Sequence, residues 1–229
     1  MEIFVGFIIF LAVIGLIGIA IWAYYEQKKR EEKRREVMTA IATRLGFVYQ
    51  PDDLLGRGNI YADIKLFNIG HSRKAYNFIT GSKKSYSVDI FEYLYKITTS
   101  TGKTTTTVTY NNAVCILTIP QRFNYLFVRT ENFLDKIAGV IGFEDIDFES
   151  REFSKRYYVK SDDKKFAYDI INPQMMEFFL AQQKPPLVEI KGNHLAFYIA
   201  KRINPEEYGA LYNFAEQFYL KIPNYLLAV

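Results

Sequence analysis

One cysteine, one tryptophan and two histidines among 229 residues leave little material for several kinds of chemistry. Cys115 has no second cysteine to pair with, so an internal disulfide is excluded and a reducing compartment fits. It lies in the apolar run Ala113 to Ile119, where a buried strand thiol is expected. His71 and His194 are isolated, and neither paired-histidine metal spacing, a glycine-rich phosphate loop nor a nucleophile elbow occurs. The sequence therefore nominates no catalytic residue, no cofactor and no metal ligand. Zinc-finger, helix-turn-helix and RNA-binding aromatic motifs are also missing. The pI near 8.9 is misleading on this point. Setting aside Glu2 and the charged stretch 26–36 leaves 23 basic against 20 acidic residues, which is no phosphate-binding footprint, so nucleic acid is not an expected partner.

Charge is missing altogether from Ile3 to Tyr25, a run of 23 residues. As a helix it would reach roughly 34 Å, enough to cross a hydrocarbon core of about 30 Å. A cleaved secretory signal would need a basic start, a shorter apolar stretch and a small-x-small cleavage site, and Ile21 spoils the site ending at Ala23. Residues 1–25 are therefore expected to be an uncleaved transmembrane anchor whose first partner is membrane lipid. Lys28, Lys29, Arg30, Lys33, Arg34 and Arg35 follow directly, and basic residues beside a span stay on the cytoplasmic side. The expected topology is single-pass in the cell (inner) membrane, with the N-terminus outside and the soluble domain cytoplasmic. Trp22, Tyr24, Tyr25, Lys28, Lys29 and Arg30 are the candidate membrane-interface residues, amphipathic rings and cations suiting the headgroup layer. Ala12, Gly15 and Gly18 recur at threefold spacing, a weak signal for homo-oligomer contact through the span.

From 26 to 46 the helical pattern continues as a charged stalk. Glu26 with Arg30, Lys28 with Glu32, and Glu31 with Arg35 stand four apart. Val37, Ile41 and Leu45 form an apolar line for docking on a globular body, and Gly46 offers a stop.

Residues 47–142 read as a β-rich first half. Ile60, Ala62, Ile64 and Leu66 alternate as a strand would, closed by Gly70. Val88 and Ile90 occupy one phase and Phe91, Tyr93 and Tyr95 the other, so a bulge or a change of covering layer is expected between them. Eight of the twelve residues Thr98 to Thr109 are threonine around Gly102, which fits a long β-hairpin and a candidate contact surface. A strand Tyr125 to Val128 is expected after Pro120, then a helix capped by Thr130 that carries Phe133, Leu134, Ile137 and Val140 and stops at Gly142.

Residues 143–229 read as an α+β second half. Glu144, Asp145, Asp147 and Glu149 alternate with Ile146 and Phe148. A polar-out strand accounts for this pattern, while Glu144, Asp145 and Asp147 are also the carboxylates from which a hydrolase or transferase site would be built. Asp162 and Asp163 precede a helix to Ile171, and Asn172-Pro173 and Asn204-Pro205 are helix-start signals. Val188, Ile190, Leu195 and Phe197 around Gly192 and Asn193 fit a hairpin with all four on one face, leaving His194 solvated opposite Lys191. Pro205 to Ile222 is an amphipathic helix ended by Pro223.

The pattern Phe148-Glu149, Ser154, Tyr157, Val159, Ser161, Asp163 and Ala167, followed by the Asn-Pro helix, resembles an uncharacterised bacterial family with N-terminal hydrophobic anchoring and a C-terminal domain of unknown function. The match spans about residues 143–179, with one span here where such proteins often carry two. What the resemblance implies is architecture, without activity or site residues. The expected fold class is α+β: a transmembrane helix and stalk, then a mixed, mainly antiparallel sheet with flanking helices. The expected role is a scaffold or interaction module with an unidentified protein partner. A carboxylate-based enzyme and a lipid-headgroup module are the alternatives.

Overall fold

A single helix, α1 (Glu2–Leu45), opens the chain. The computed structural model describes residues 2–53, 56, 60–131 and 146–228, the side chains of 2–9 and 12 excepted. Phe10, Leu11, Ile17, Ile19, Ile21 and Trp22 leave half to two-thirds of their surface uncovered, all round the rod. Further along, the exposure collapses onto one face, where Met38, Ile41 and Ala42 are buried in the body. Among the described residues no helix is long and apolar enough to cross a membrane. The 23-residue uncharged run begins at Ile3, ahead of the described side chains.

Six strands follow: β1 (Val48–Asp52), β2 (His71–Ser82), β3 (Ser87–Ser100), β4 (Thr105–Thr130), β5 (Tyr157–Ser161) and β6 (Leu187–Ile199). They form one sheet in the order β1-β2-β3-β4-β5, with β6 on the other side of β4. Every pairing among the described residues is antiparallel, so the expected mixed sheet is corrected to an antiparallel one. The organising element is β4. Its first half pairs with β3, its second half with β5, and β6 accompanies both. The separate strands expected on either side of Pro120 are thus one strand, bent where its register against β6 shifts between Thr118 and Leu126.

Helices α2 (Arg151–Arg156), α3 (Lys164–Ile170), α4 (Pro173–Leu180) and α5 (Tyr208–Leu220), with the end of α1, cover one face. A final short helix, α6 (Asn224–Leu227), places Leu226 and Leu227 against that core. Asp163 and Asn172 cap α3 and α4 by accepting from the Phe166 and Met175 N–H groups, and Asn204 with Glu207 forms a capping box ahead of α5. Tyr208, Leu211, Ala215, Phe218 and Ile222 are buried as their spacing requires.

Tyr61, Ile64, Leu66, Phe67 and Ile69 cover the opposite face. This segment is a turn followed by a 3-10 helix (Lys65–Asn68) rather than the expected strand. Its alternation is broken at the start, where Ile60 faces solvent, and Tyr61 and Phe67 turn inward as a cap. Two covered faces also explain the phase change on β3. Val88 and Ile90 point to the helices and Phe91, Tyr93 and Tyr95 to the cap; the β3–β4 register is unbroken, while β2 carries a bulge between Tyr76 and Ile79, opposite Glu92 and Ile90.

The hairpin expected at Gly192-Asn193 is corrected as well, because β6 is continuous. Val188, Ile190, Leu195 and Phe197 do share the helix-facing core, but a bulge reconciles their two phases. Gly192, at φ +58, faces Phe123 between the two register shifts. His194 consequently pairs with Thr118 and is buried. Residues 146–149 alternate as expected, Ile146 and Phe148 buried and Asp147 and Glu149 exposed. They form no strand, although the Ile146 N–H donates to Val159. The helix expected after Thr130 lies outside the described residues.

Candidate functional site at the joint of helix and sheet

β3 places Glu92 in the same phase as Val88 and Ile90, so a carboxylate is delivered to the helix-facing core, where only 2% of its side chain is exposed. A buried charge persists only with partners. Glu92 has two. Arg34 of α1 donates through Nε to Oε1, and Arg202, just after β6, donates through Nε to Oε2 at 3.0 Å. Arg34 also donates to the Ile203 carbonyl at 2.8 Å, and its guanidinium lies 5.9 Å from the Tyr208 ring centroid.

Arg202 turns its other two nitrogens back to α1, holding both carboxylate oxygens of Glu31 at 2.8 and 2.9 Å. This fork matches the planar carboxylate and resists rotation. It holds the Glu31 carboxyl below its usual range, and Glu31 in turn raises the Arg202 guanidinium. Burial, with Glu92 second, pushes the Tyr76 hydroxyl up. Of the same-helix pairs expected, Glu26–Arg30 is present at 3.9 Å, whereas Glu31 is claimed by Arg202. Further down, the Phe47 ring packs over Gly81, so α1 is clamped at both ends of its docked segment.

The candidate interface residues Trp22, Tyr24, Tyr25, Lys28, Lys29 and Arg30 are all exposed on α1, N-terminal to this clamp. Tyr24 and Tyr25 meet edge to face at 5.7 Å. Trp22 and Arg30 line a groove of about 640 Å³ that continues past Arg34 to Arg202, Asn204 and Pro205. The groove's basic groups are largely committed to carboxylates, so it is a joint more than a receptor.

A second polar cluster pins the aromatic cap. His194 Nδ1 lies 2.8 Å from Asp63, and the Tyr61 hydroxyl donates to Asp89. Glu189, 1% exposed, accepts from the Lys65 N–H at 2.6 Å and from the Tyr198 hydroxyl at 3.4 Å. Burial pushes its carboxyl up to about 7. Sequence reasoning missed both clusters, although a charged residue standing in a buried phase of a strand, as Glu92 and Glu189 do, is the signal that finds them.

Of the three carboxylates considered for an enzyme site, one lies among the described residues. Asp147 faces solvent, and Glu144 and Asp145 lie outside the described residues. No three metal-ligating side chains gather among the described residues. Cys115 is wholly buried in the helix-facing core and burial raises its thiol, opposing a nucleophilic role.

No protein-family model matches the chain, and no curated protein matches it. The resemblance read over residues 143–179 is therefore carried no further. A fold similarity does appear. The crystal structure of the mycobacterial trehalose monomycolate transport factor A, TtfA, superimposes with a TM-score of 0.60 at 14% identity. The match covers 85% of this chain and 96% of that one. At that identity the likeness concerns the fold.

Proposed function

We propose that this chain is a single-pass, membrane-anchored accessory module without enzymatic activity that serves a membrane assembly, transport being the class of process. In this reading Ile3 to Tyr25 lies in the bilayer, Trp22, Tyr24, Tyr25, Lys28, Lys29 and Arg30 mark the inner interface, and the body sits on the cytoplasmic side. The observation that carries the reading is the joint. Glu92 is gripped from α1 and from the segment after β6 at once, so the helix that carries the apolar run is tied to the sheet. Such coupling suits a part that holds a partner at fixed height and angle to a bilayer. The fold likeness to a protein named as a transport factor supports the class of process.

The carboxylate-based hydrolase or transferase has less support, since Asp147 is dispersed to solvent and the Asp63–His194 pair serves to hold the cap. Affinity purification of the full chain from detergent-solubilised membranes tests the proposal. A stoichiometric protein companion is the expected result. Recovery of the chain alone, or a turnover abolished by His194→Ala, would refute it.

A further inference from the structure

The threonine hairpin outruns the sheet. β2 leaves β3 at Lys96, and β6 leaves β4 at Ala113, yet β3 and β4 remain in register to Ser100 and Thr105. A two-stranded ribbon therefore projects from about residue 97 to 108, and Thr101 to Val108 are exposed. His71 Nε2, 2.9 Å from the Thr98 hydroxyl, braces the ribbon at its base, and the turn beyond is exposed.

Its direction follows from the clamp. Along α1, Arg34 sits at Glu92, while the helix end brings Phe47 to Gly81, the partner of Val88. Going from Val88 to Glu92 on β3 is thus going from the docked end of α1 toward its N-terminus. β6 gives the same answer independently: it heads in that direction to Ile199, and Arg202 just beyond reaches Glu31, one turn N-terminal to Arg34. The ribbon continues this course past Glu92.

The lengths then decide. From Glu92 to Gly102 an extended strand covers roughly 33 Å. From Arg34 to Trp22 the helix rises only about 18 Å. Even splayed by about 55° from the helix axis, a strand of that length brings its tip to the height of Trp22, which leaves room for ordinary ribbon twist. From Thr98 to Thr109 the charged residue is Lys103, at the turn, and the rest are almost all hydroxyl side chains. That composition suits an anionic headgroup layer, where a basic residue contributes roughly 1 kcal/mol.

We infer that the turn Thr101–Thr104 seats in the lipid headgroup layer beside the interface end of α1, giving the body a second contact with the membrane. This rests on the anchor reading above. The test uses the full chain in phosphatidylcholine liposomes with and without phosphatidylglycerol. A nitroxide is placed in turn at Lys103→Cys, Tyr25→Cys and Ser85→Cys, Cys115 being too buried to label. Ser85 is exposed in the β2–β3 turn at the opposite end of the sheet. Accessibility to a water-soluble nickel relaxer should be several-fold lower at 103 than at 85, approaching that at 25. An aqueous reading at 103 with an interfacial one at 25 overturns the hairpin contact alone. An aqueous reading at both 103 and 25 overturns the anchor as well.

Discussion

Removing Arg34 tests the joint most directly. Arg34→Met keeps the length of the side chain and its helix propensity but deprives the buried Glu92 of its α1 partner and the Ile203 carbonyl of a donor. Truncating one partner of a buried pair costs about 3–5 kcal/mol, because the charge left behind is desolvated. Glu92 retains Arg202, whose side chain is 38% exposed, so the lower end, about 3 kcal/mol, is expected. For a chain of this size that is a drop of about 6–12 °C in Tm. The assay is thermal and urea unfolding of the full chain in detergent micelles, followed by circular dichroism. Adding Glu92→Leu should return at least half of the loss, because the buried charge goes with it while Arg202 keeps Glu31. A loss below about 1 kcal/mol for Arg34→Met, or a double variant as unstable as the sum of the singles, would refute a desolvated joint.

Two more perturbations probe other parts of the fold. Glu189 has a folded-state pKa of about 7 against an ordinary 4.5, so the folded chain holds a proton that the unfolded one has released. Its contribution is fully present below about 4.5 and is lost as pH rises through about 7, on the order of 3 kcal/mol in total. Urea titrations at pH 5 and pH 8 should show that loss in the wild type and a flatter profile in Glu189→Gln. An equal slope in both would remove Glu189 as the cause. Gly81→Ala would set a Cβ 1.9 Å from Phe47 Cδ1, so the ring must leave its seat at the end of α1, at about 1–3 kcal/mol. A variant as stable as wild type by urea midpoint would mean that Phe47 does not clamp the helix.

Elements with strong local signals were legible in the sequence. The rod-and-stalk helix, the caps at Asp163, Asn172 and Asn204, the Thr-rich hairpin and the buried Cys115 all followed from periodicity and capping chemistry. What failed was decided by tertiary partners. The 60–69 segment alternates like a strand, yet it lies on the face of the sheet, where Glu189 takes its Lys65 N–H and the aromatic face takes its rings. Gly192 carries a turn signature, but β4 runs past on the full length of β6, so the same left-handed residue makes a bulge. The joint was illegible for a similar reason. Arg34 reads as one more basic residue flanking a span until the sheet brings Glu92 beneath it.

The order in which β4 acquires its neighbours bears on how the chain is made. β3 precedes it and can zip up at once, but Ala113 must wait for Ile199 and Val128 for Val188, segments that leave the ribosome much later. Until then a long apolar edge is open, in a polypeptide whose leading end is itself greasy. Late, non-local closure of this sort slows folding and invites aggregation, so truncation ahead of residue 187 should yield insoluble product rather than a smaller working body.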